Sequence, residues 1–350
     1  MTSTVKSPAR KPWDAKDSGY RYQQLLVHVG TPLLAALIVF VSGIRGGSGL
    51  FFTWLGLHLI TGALLAKFGR KKSTIANSSM EILLVASLIL FVSAALSVLL
   101  PVFIKGISAF SSNLLFQDAA TVEPGAELIN GGILHAILGT VIIVILASVI
   151  SIPIGILAAL YVTEVRGRLT PYVRFFVQAM SGVPSIVAGL FVYAALIVTG
   201  VLSFSGVSGA IALSILMLPT VARTAEEVLL LVPDDLRSAA LALGATQRKV
   251  VRMVVLPSAG AGLVTASILG VARVTGETAP LLLTAFGSTA VNTNPFSEPM
   301  SALPIYIFTQ MLLGTDNDVA RAWFACMVLL TMVGVLFGTA RLLVNRRSLK

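Results

Sequence analysis

The sequence predicts an all-α fold, a polytopic integral membrane helical bundle with about eight transmembrane helices. Three observations support this prediction. Of the 350 residues, 56% are hydrophobic and only 11% are charged, which is far below the charge content of a soluble domain. The hydrophobic residues form runs close to the roughly 20 residues that a helix needs to cross a bilayer. These runs are continuous, which excludes the alternating pattern of a membrane β-barrel.

The apolar runs define eight candidate transmembrane helices. A backbone surrounded by lipid must satisfy its own hydrogen bonds, so each run is predicted to be helical. The run at 254–286 is less uniform than the others. In chain order, the runs cover residues 25–44, 49–66, 82–104, 133–162, 175–202, 207–222, 254–286 and 320–344.

Lys and Arg are concentrated on one side of the predicted membrane, which receives 21 of the 25 such residues. Cytoplasmic loops carry this excess, so that side and both termini are predicted to be cytoplasmic. The chain then divides into a cytoplasmic tail at 1–24, an N-terminal helix pair at 25–72 and a main bundle at 73–350. Residues 105–131 and 287–320 become acidic extracytoplasmic segments, either solvated connectors or a docking surface.

Composition and motifs argue against several functions. The formal net charge is +10, but the basic residues form no patch with interleaved aromatics, so nucleic acid is not an expected partner. The single cysteine, Cys326, cannot form a disulfide within the chain, and no Cys/His cluster has metal-ligand spacing. The pattern G-x-x-x-x-G-K-[ST], which holds nucleotide phosphates, and the known hydrolase motifs do not occur. We therefore expect no catalytic activity and no cofactor bound by this chain.

A short amphipathic segment interrupts the apolar runs on the predicted cytoplasmic side, at residues 233–257. Pro233-Asp234-Asp235 predicts a helix start, and Gly244 predicts its end because glycine adopts the left-handed conformation most easily. A helix this short is marginal in water, so it must pack on something. It is either a lid on its own bundle or a plug in a partner protein. Its narrow apolar face consists of Leu236, Ala239, Ala240 and Leu243.

The same segment resembles the EAA loop of ABC-importer permeases. The family spacing is met by Ala239-Ala240, Gly244, Val254 and Leu256-Pro257. In that family the loop forms a coupling helix that sits in a cleft of the cytoplasmic ATPase subunit. Ser238 stands where the family usually has Glu. The resemblance implies a coupling role for Ser238, Ala239, Ala240, Gly244, Leu256 and Pro257.

Three further stretches resemble the PstA family of phosphate-importer permease subunits. They are SGVPSIVAGLFVYAAL at 181–196, LPTVARTAEEVLLLVPDDLRSAALALG at 218–244 and VARVTGETAPLLLTAFG at 271–287. The resemblance covers roughly residues 80–350 and implies a type I ABC-importer permease embedded in membrane lipid. It also implies a second permease subunit, two ATPase subunits that use the ATP, an extracytoplasmic phosphate-binding protein and inorganic phosphate as substrate.

Charged residues in the apolar runs are candidates for the substrate pathway. A charge at the bilayer centre costs about 2.5–3.5 kcal/mol on insertion scales, so it needs a reason. Arg273 and Glu277 have i, i+4 spacing, and Arg223 and Glu226 have i, i+3 spacing, so each pair could share one helix face. The pairs either order the bundle or bind an anion through their arginines and exchange partners as it passes. Pro184 is the preferred candidate for a hinge.

Two other functions remain open from the sequence. Permeases for molybdate, tungstate or sulfate share the loop, so the loop alone does not identify the oxyanion. A secondary transporter could use Glu226 and Glu277 as proton or ion sites, although no inverted repeat is visible. Copurification with ATPase subunits would separate an importer subunit from a secondary transporter or a membrane enzyme.

Overall fold

The computed structural model describes residues 29–40, 47–68 and 72–348, and the regular structure in these ranges is helical, which confirms the predicted all-α class. The predicted tail at 1–24 and residues 69–71 lie outside the described residues. The helices are α1 Val29–Phe40, α2 Gly47–Phe68, α3 Lys72–Ser108, α4 Ser112–Phe116, α5 Leu134–Val165, α6 Thr170–Ser181, α7 Ser185–Ile197, α8 Gly206–Leu230, α9 Asp234–Ala242, α10 Gln247–Thr275, α11 Ala279–Thr284, α12 Leu303–Leu313 and α13 Asp316–Ser348.

Several of these helices are long and apolar enough to cross a membrane. Within the described ranges there are five: part of α3, α5, α8, α10 and part of α13. The consecutive helices α6 and α7 pass the same test together, as one bent pair. Three of the helices contain a π-helical turn, at Tyr161–Val165 in α5, Tyr193–Ile197 in α7 and Val251–Val255 in α10. The chain is therefore a multi-pass membrane protein.

The described residues up to Leu99 form one compact unit, in which α1 packs on α2. Ala35 of α1 and Trp54 of α2 are buried in a small apolar cluster. Thr31 Oγ1 and His58 Nδ1 lie 2.6 Å apart and form a hydrogen bond between the two helices. Apolar and polar contacts therefore both join α1 to α2.

The second unit, residues 100–350, has α8 as its most buried span. Its main neighbour is α5, and Ile143 of α5 lies in the same buried cluster as Leu213 and Met217 of α8. Small residues allow the two helices to approach closely. A Cβ atom added at Gly155 of α5 would lie 3.0 Å from Val221 of α8.

The predicted run at 175–202 is not one straight helix. α6 ends at Ser181, α7 begins after Pro184, and the two helices are bent by 105°. Proline has no backbone N–H and disfavours a helical residue before it, which accounts for the break at this position. The amphipathic helix α6 has no buried residue, whereas α7 buries Ala188, Gly189 and Val192.

Two other predicted segments also differ from the structure. The run at 254–286 is interrupted, because α10 ends at Thr275 and the short α11 starts at Ala279. Gly276 and Pro280 flank this interruption, and both residue types disfavour a continuous helix. The predicted polar segment at 287–320 contains the apolar α12, whose 11 residues are too few to span a bilayer.

The segments 105–131 and 287–320, predicted to be extracytoplasmic, are folded against each other. At the start of α13, Arg321 and Asp318 form a buried ion pair with an N–O distance of 3.2 Å. Arg321 Nη2 also donates to two carbonyl groups of the first segment, at 2.7 and 2.9 Å. The backbone N–H of Gly125 donates to Asp318 at 3.0 Å. The two segments therefore form a structured cap, not merely loose connectors.

Candidate coupling helix and charged pathway

The short helix α9 lies between α8 and α10, where the sequence predicts it. It begins at Asp234 directly after Pro233, and Gly244 has a φ of +82°, the left-handed conformation predicted for its end. The N-cap residue is Pro233, and the Asp234 side chain pairs with Arg237 at 3.0 Å instead of accepting a hydrogen bond from a helix amide. Its charge still complements the positive end of the helix dipole.

The predicted apolar face of α9 is largely open in this chain. Leu236 is 45% exposed and Leu243 is 89% exposed. Ser238 and Ala239 are exposed as well, while Ala240 is half-buried against residues of α8 and α10. A lid that packed this face on its own bundle would bury the leucines, and α9 does not do so.

A buried ion pair joins α9 to the end of α5. Glu164 lies in the π-helical turn of α5 with its side chain 3% exposed, and the side chain of Arg237 is 15% exposed. Arg237 Nη2 donates to Glu164 Oε1 at 2.9 Å and to the carbonyl of Leu229 at 2.8 Å. Arg237 Nη1 donates to the carbonyl of Val232. The guanidinium therefore bridges α5, α8 and α9.

The ion pair also has an electrostatic consequence. Hydrogen bonding to Glu164 raises the pKa of the Arg237 guanidinium above its ordinary value and outweighs the opposing effect of desolvation. Arg237 therefore stays charged at every physiological pH. The sequence analysis missed this pair because its members are 73 residues apart. The available signal was a single acidic residue at the end of the 133–162 run.

Arg273 is exposed near the end of α10, and it contacts α8 instead of Glu277. Its Nη1 donates to Thr220 Oγ1 at 2.9 Å. Glu277 is not on the same helix, because α10 ends at Thr275, so the predicted i, i+4 pair does not form. The Glu277 carboxylate has no hydrogen bond or ion pair within the described part of the chain.

Glu226 pairs with Arg174 and not with the predicted partner, Arg223. Arg174 Nη2 lies 2.8 Å from Glu226 Oε1, and Arg174 Nε donates to the same oxygen at 3.0 Å. This partner is available because α6 packs against α8. Arg223 is exposed, and among the described residues its guanidinium has neither a hydrogen bond nor an ion pair.

One side of α8 carries an open charged stripe. It consists of the exposed residues Arg223, Glu227 and Arg273 and of the half-buried, neutral Thr220, to which Arg273 is bound. Thr220, Arg223 and Glu227 have i, i+3 and i+7 spacing and lie on one face of α8, and Arg273 reaches this face from α10 through Thr220. The rest of α8 is the most buried of the candidate spans, with 67% of its apolar window buried. Lipid does not solvate such charges, so the stripe must face water or another protein.

The helices that flank this region pack tightly. A Cβ atom added at Gly189 of α7 would lie 2.6 Å from Cα of Pro280 in α11. Leu281 of α11 belongs to the same buried cluster as Leu213 of α8. The stretches at 181–196 and 271–287 therefore meet at one interface beside α8.

The fold and these sites define a class of protein, a multi-pass helical membrane protein with an open charged stripe and an exposed short helix between two spans. Within the described ranges, no group of three His, Cys, Asp or Glu side chains could hold a metal ion.

The comparisons with known proteins agree with this class. The family model described as "Binding-protein-dependent transport system inner membrane component" matches residues 151–348. The "Phosphate transport system permease protein PstA" of Pasteurella multocida is 38% identical over 70% of this chain and 85% of its own length. Its counterpart in Haemophilus influenzae is 42% identical over 58% of this chain and 71% of its own length. The chain belongs to the binding-protein-dependent transport permeases and, within them, to the PstA family.

Proposed function

We propose that this chain is one permease subunit of an ATP-driven phosphate importer and that a second permease subunit completes the translocation path. The observation that carries the proposal is the charged stripe, which is open on the span that is otherwise most buried. A second subunit over this face would enclose the stripe in a polar path and shield it from lipid. The relatives named as phosphate transport permeases support phosphate as the substrate.

In this proposal, Arg223 and Arg273 donate hydrogen bonds to the anion, since guanidinium groups match the geometry of phosphate oxygens. Arg273 is held by the neutral hydroxyl of Thr220, so it can turn to an anion without breaking an ion pair. Glu226 and Glu277 limit the positive potential along the path. This balance prevents phosphate from binding too tightly to leave.

We further propose that α9 is the coupling helix and lies on the cytoplasmic side, as both termini do. Its exposed face around Ser238 and Ala239 would enter a cleft of an ATPase subunit, which binds and hydrolyses the ATP. Gly244 sets the turn after α9, and Leu256 and Pro257 lie within the continuous helix α10. Movement of α9 would therefore pass directly into α10. On the opposite side, the cap would receive the extracytoplasmic phosphate-binding protein.

The proposal is tested by phosphate uptake into vesicles that contain the complete transporter, with the binding protein outside and ATP at the ATPase subunits. We expect Arg273→Gln to lower uptake about ten-fold or more, because a hydrogen bond to a charged group contributes about 1.5–3 kcal/mol. Arg168→Gln makes the same chemical change in the exposed loop after α5 and should leave uptake unchanged. Uptake by Arg273→Gln at the parent rate would contradict the proposed path.

The same vesicles separate the competing functions. Excess molybdate, tungstate or sulfate should not compete with phosphate, whereas competition by one of them would identify that oxyanion as the substrate. Uptake should need ATP hydrolysis and should survive an ionophore that removes ion gradients. Uptake that needs the gradient and not ATP would indicate a secondary transporter. Glu226 is already paired with Arg174, so a coupling ion that used Glu226 would have to displace the arginine.

A further inference from the structure

The link between Glu164 and Arg237 gives α9 a third connection to the bundle. Along the chain, α9 is connected only to α8 and α10. Arg237 adds a lateral connection to α5 by donating to both carboxylate oxygens of Glu164, at 2.9 to 3.4 Å. The side-chain amide of Gln247, at the start of α10, donates to the backbone carbonyl of Glu164 at 3.3 Å. The end of α5 is thus held by Arg237, which precedes the turn at Gly244, and by Gln247, which follows it.

The other end of α5 is tied to the segment that leads into α12. Thr140 Oγ1 accepts a hydrogen bond from the backbone N–H of Leu303 at 2.7 Å, and both residues are buried. Gly139 packs so closely on the backbone of Ser301 that it leaves no room for a Cβ atom. A single helix of 32 residues therefore has one end at α9 and the other end beside the cap.

We propose that Glu164 is a positioning residue that makes α5 move together with α9, so that α5 carries ATPase-driven movement to the cap end of the bundle. This inference rests on the proposed role of α9 as the coupling helix. The guanidinium of Arg237 suits this task because its planar fork holds Glu164 and two backbone carbonyls at once. A flexible contact at an exposed position would transmit little movement, whereas this pair is buried and has several hydrogen bonds.

The experiment measures phosphate transported per ATP hydrolysed by the complete transporter in vesicles. Glu164→Gln keeps the size of the side chain but removes its charge. Arg237→Lys keeps the charge but replaces the two terminal nitrogens that reach Glu164 and the carbonyls of Leu229 and Val232 with a single nitrogen. We expect each change to lower the ratio about five-fold or more, since coupling free energies are typically worth at least that factor. Because both changes break the same link, the double variant should be no worse than the more affected single variant.

Arg168→Gln is the matched control. Arg168 follows Glu164 by four residues, in the loop after α5, is exposed, and has no hydrogen bond or ion pair within the described ranges. This variant should keep the parent ratio. A parent transporter without ATP-dependent phosphate uptake would contradict the proposed function itself. Normal parent uptake with unchanged ratios in Glu164→Gln and Arg237→Lys would overturn only the present inference.

A merely stabilising role for the ion pair has a different signature. It would lower the yield of assembled transporter and would reduce uptake and ATP hydrolysis in parallel, at a constant ratio. That result would overturn the proposal. If the Glu164→Gln transporter fails to assemble, the phosphate-to-ATP ratio is measured in Glu164→Asp instead. This variant keeps the negative charge but has a shorter side chain, which reaches less far toward Arg237. A reduced ratio in that variant supports the proposal, and a parent ratio contradicts it.

Discussion

Three arginines around α8 are held in different ways, and the differences separate structural roles from pathway roles. Arg237 is 15% exposed beside the buried Glu164, and removing one partner of a buried pair costs up to about 3–5 kcal/mol, so this pair suits a permanent link. Arg174 is 54% exposed beside Glu226, and an exposed pair contributes only about 0.2–1 kcal/mol, so it can open. Among the described residues, the Arg273 guanidinium hydrogen-bonds only to the hydroxyl group of Thr220. An anion competes most easily for this last arginine.

Gly244 provides a residue-level test of the turn after α9. Its φ of +82° is a conformation that costs other residues about 1–2 kcal/mol, and the space around it is open, so the cost of a side chain comes from the backbone alone. Gly244→Ala should therefore loosen the turn. We expect amide hydrogen exchange in residues 234–250 to become about five-fold faster or more, as measured by mass spectrometry.

The control for this prediction is Gly260→Ala. Gly260 also has open space around it, but it lies inside α10 without a positive φ, where alanine favours the helix. Exchange in the same segment should not increase in this variant. Equal exchange in Gly244→Ala and the parent would show that the left-handed turn does not limit the order of α9.

The contact between α7 and α11 offers a test at the level of secondary structure. A Cβ atom at Gly189 would lie 2.6 Å from Cα of Pro280, and backbone cannot move aside as a flexible side chain can. Gly189→Ala should push α7 away from α11 and lower stability by about 1–3 kcal/mol, the usual cost of overpacking. The thermal unfolding midpoint of the purified protein in detergent should fall, and phosphate uptake should fall with it.

Gly182→Ala is the matched control for this contact. A Cβ atom at Gly182, which follows α6, would lie 3.6 Å from the carbonyl oxygen of Ala179, an ordinary contact distance. Its unfolding midpoint should stay near that of the parent. If Gly189→Ala and Gly182→Ala have the same midpoint, then α7 does not depend on close packing against α11.

Local signals in the sequence predict the helices better than they predict the partners of the charged residues. The bounds of α9 follow from Pro233 and Gly244, because the start and end of a short helix depend on backbone chemistry at those positions. Glu226 is different, because its partner Arg174 becomes available only through the contact between α6 and α8. Spacing along one helix contains no information about such a neighbour.

The candidate site shows the same limit in two other places. Arg273 and Glu277 have helical spacing, but the helix ends between them, at Thr275. Gly276 follows this end and Pro280 lies at the start of the next helix, so the two charged residues do not share one helix face. The pair of Glu164 and Arg237 depends on a tertiary contact between elements 73 residues apart. The roles of Arg223, Glu226, Arg273 and Glu277 in transport stay predictions.

The two ends of the second unit carry opposite charge. The end that contains α9 and the loop after α5 has Arg166, Arg168, Arg248, Lys249 and Arg252. The structured cap at the other end contains Asp118, Glu123 and Glu127. Because cytoplasmic loops hold the excess of Lys and Arg, this asymmetry predicts that α9 faces the cytoplasm and the cap faces outward. The proposed function requires this orientation, because it would let α9 reach ATPase subunits and the cap reach a binding protein.

Cysteine labelling tests this orientation across the whole molecule. In a Cys326→Ser background, which removes the only native thiol, Ser238→Cys and Thr293→Cys place a thiol at one exposed position on α9 and one in the cap segment. In intact cells, a membrane-impermeant maleimide should label Thr293→Cys and not Ser238→Cys. Inverted vesicles should give the reverse pattern, because their cytoplasmic face is outside. Labelling of Ser238→Cys in intact cells would mean that α9 lies outside the cell, where no ATPase subunit could reach it.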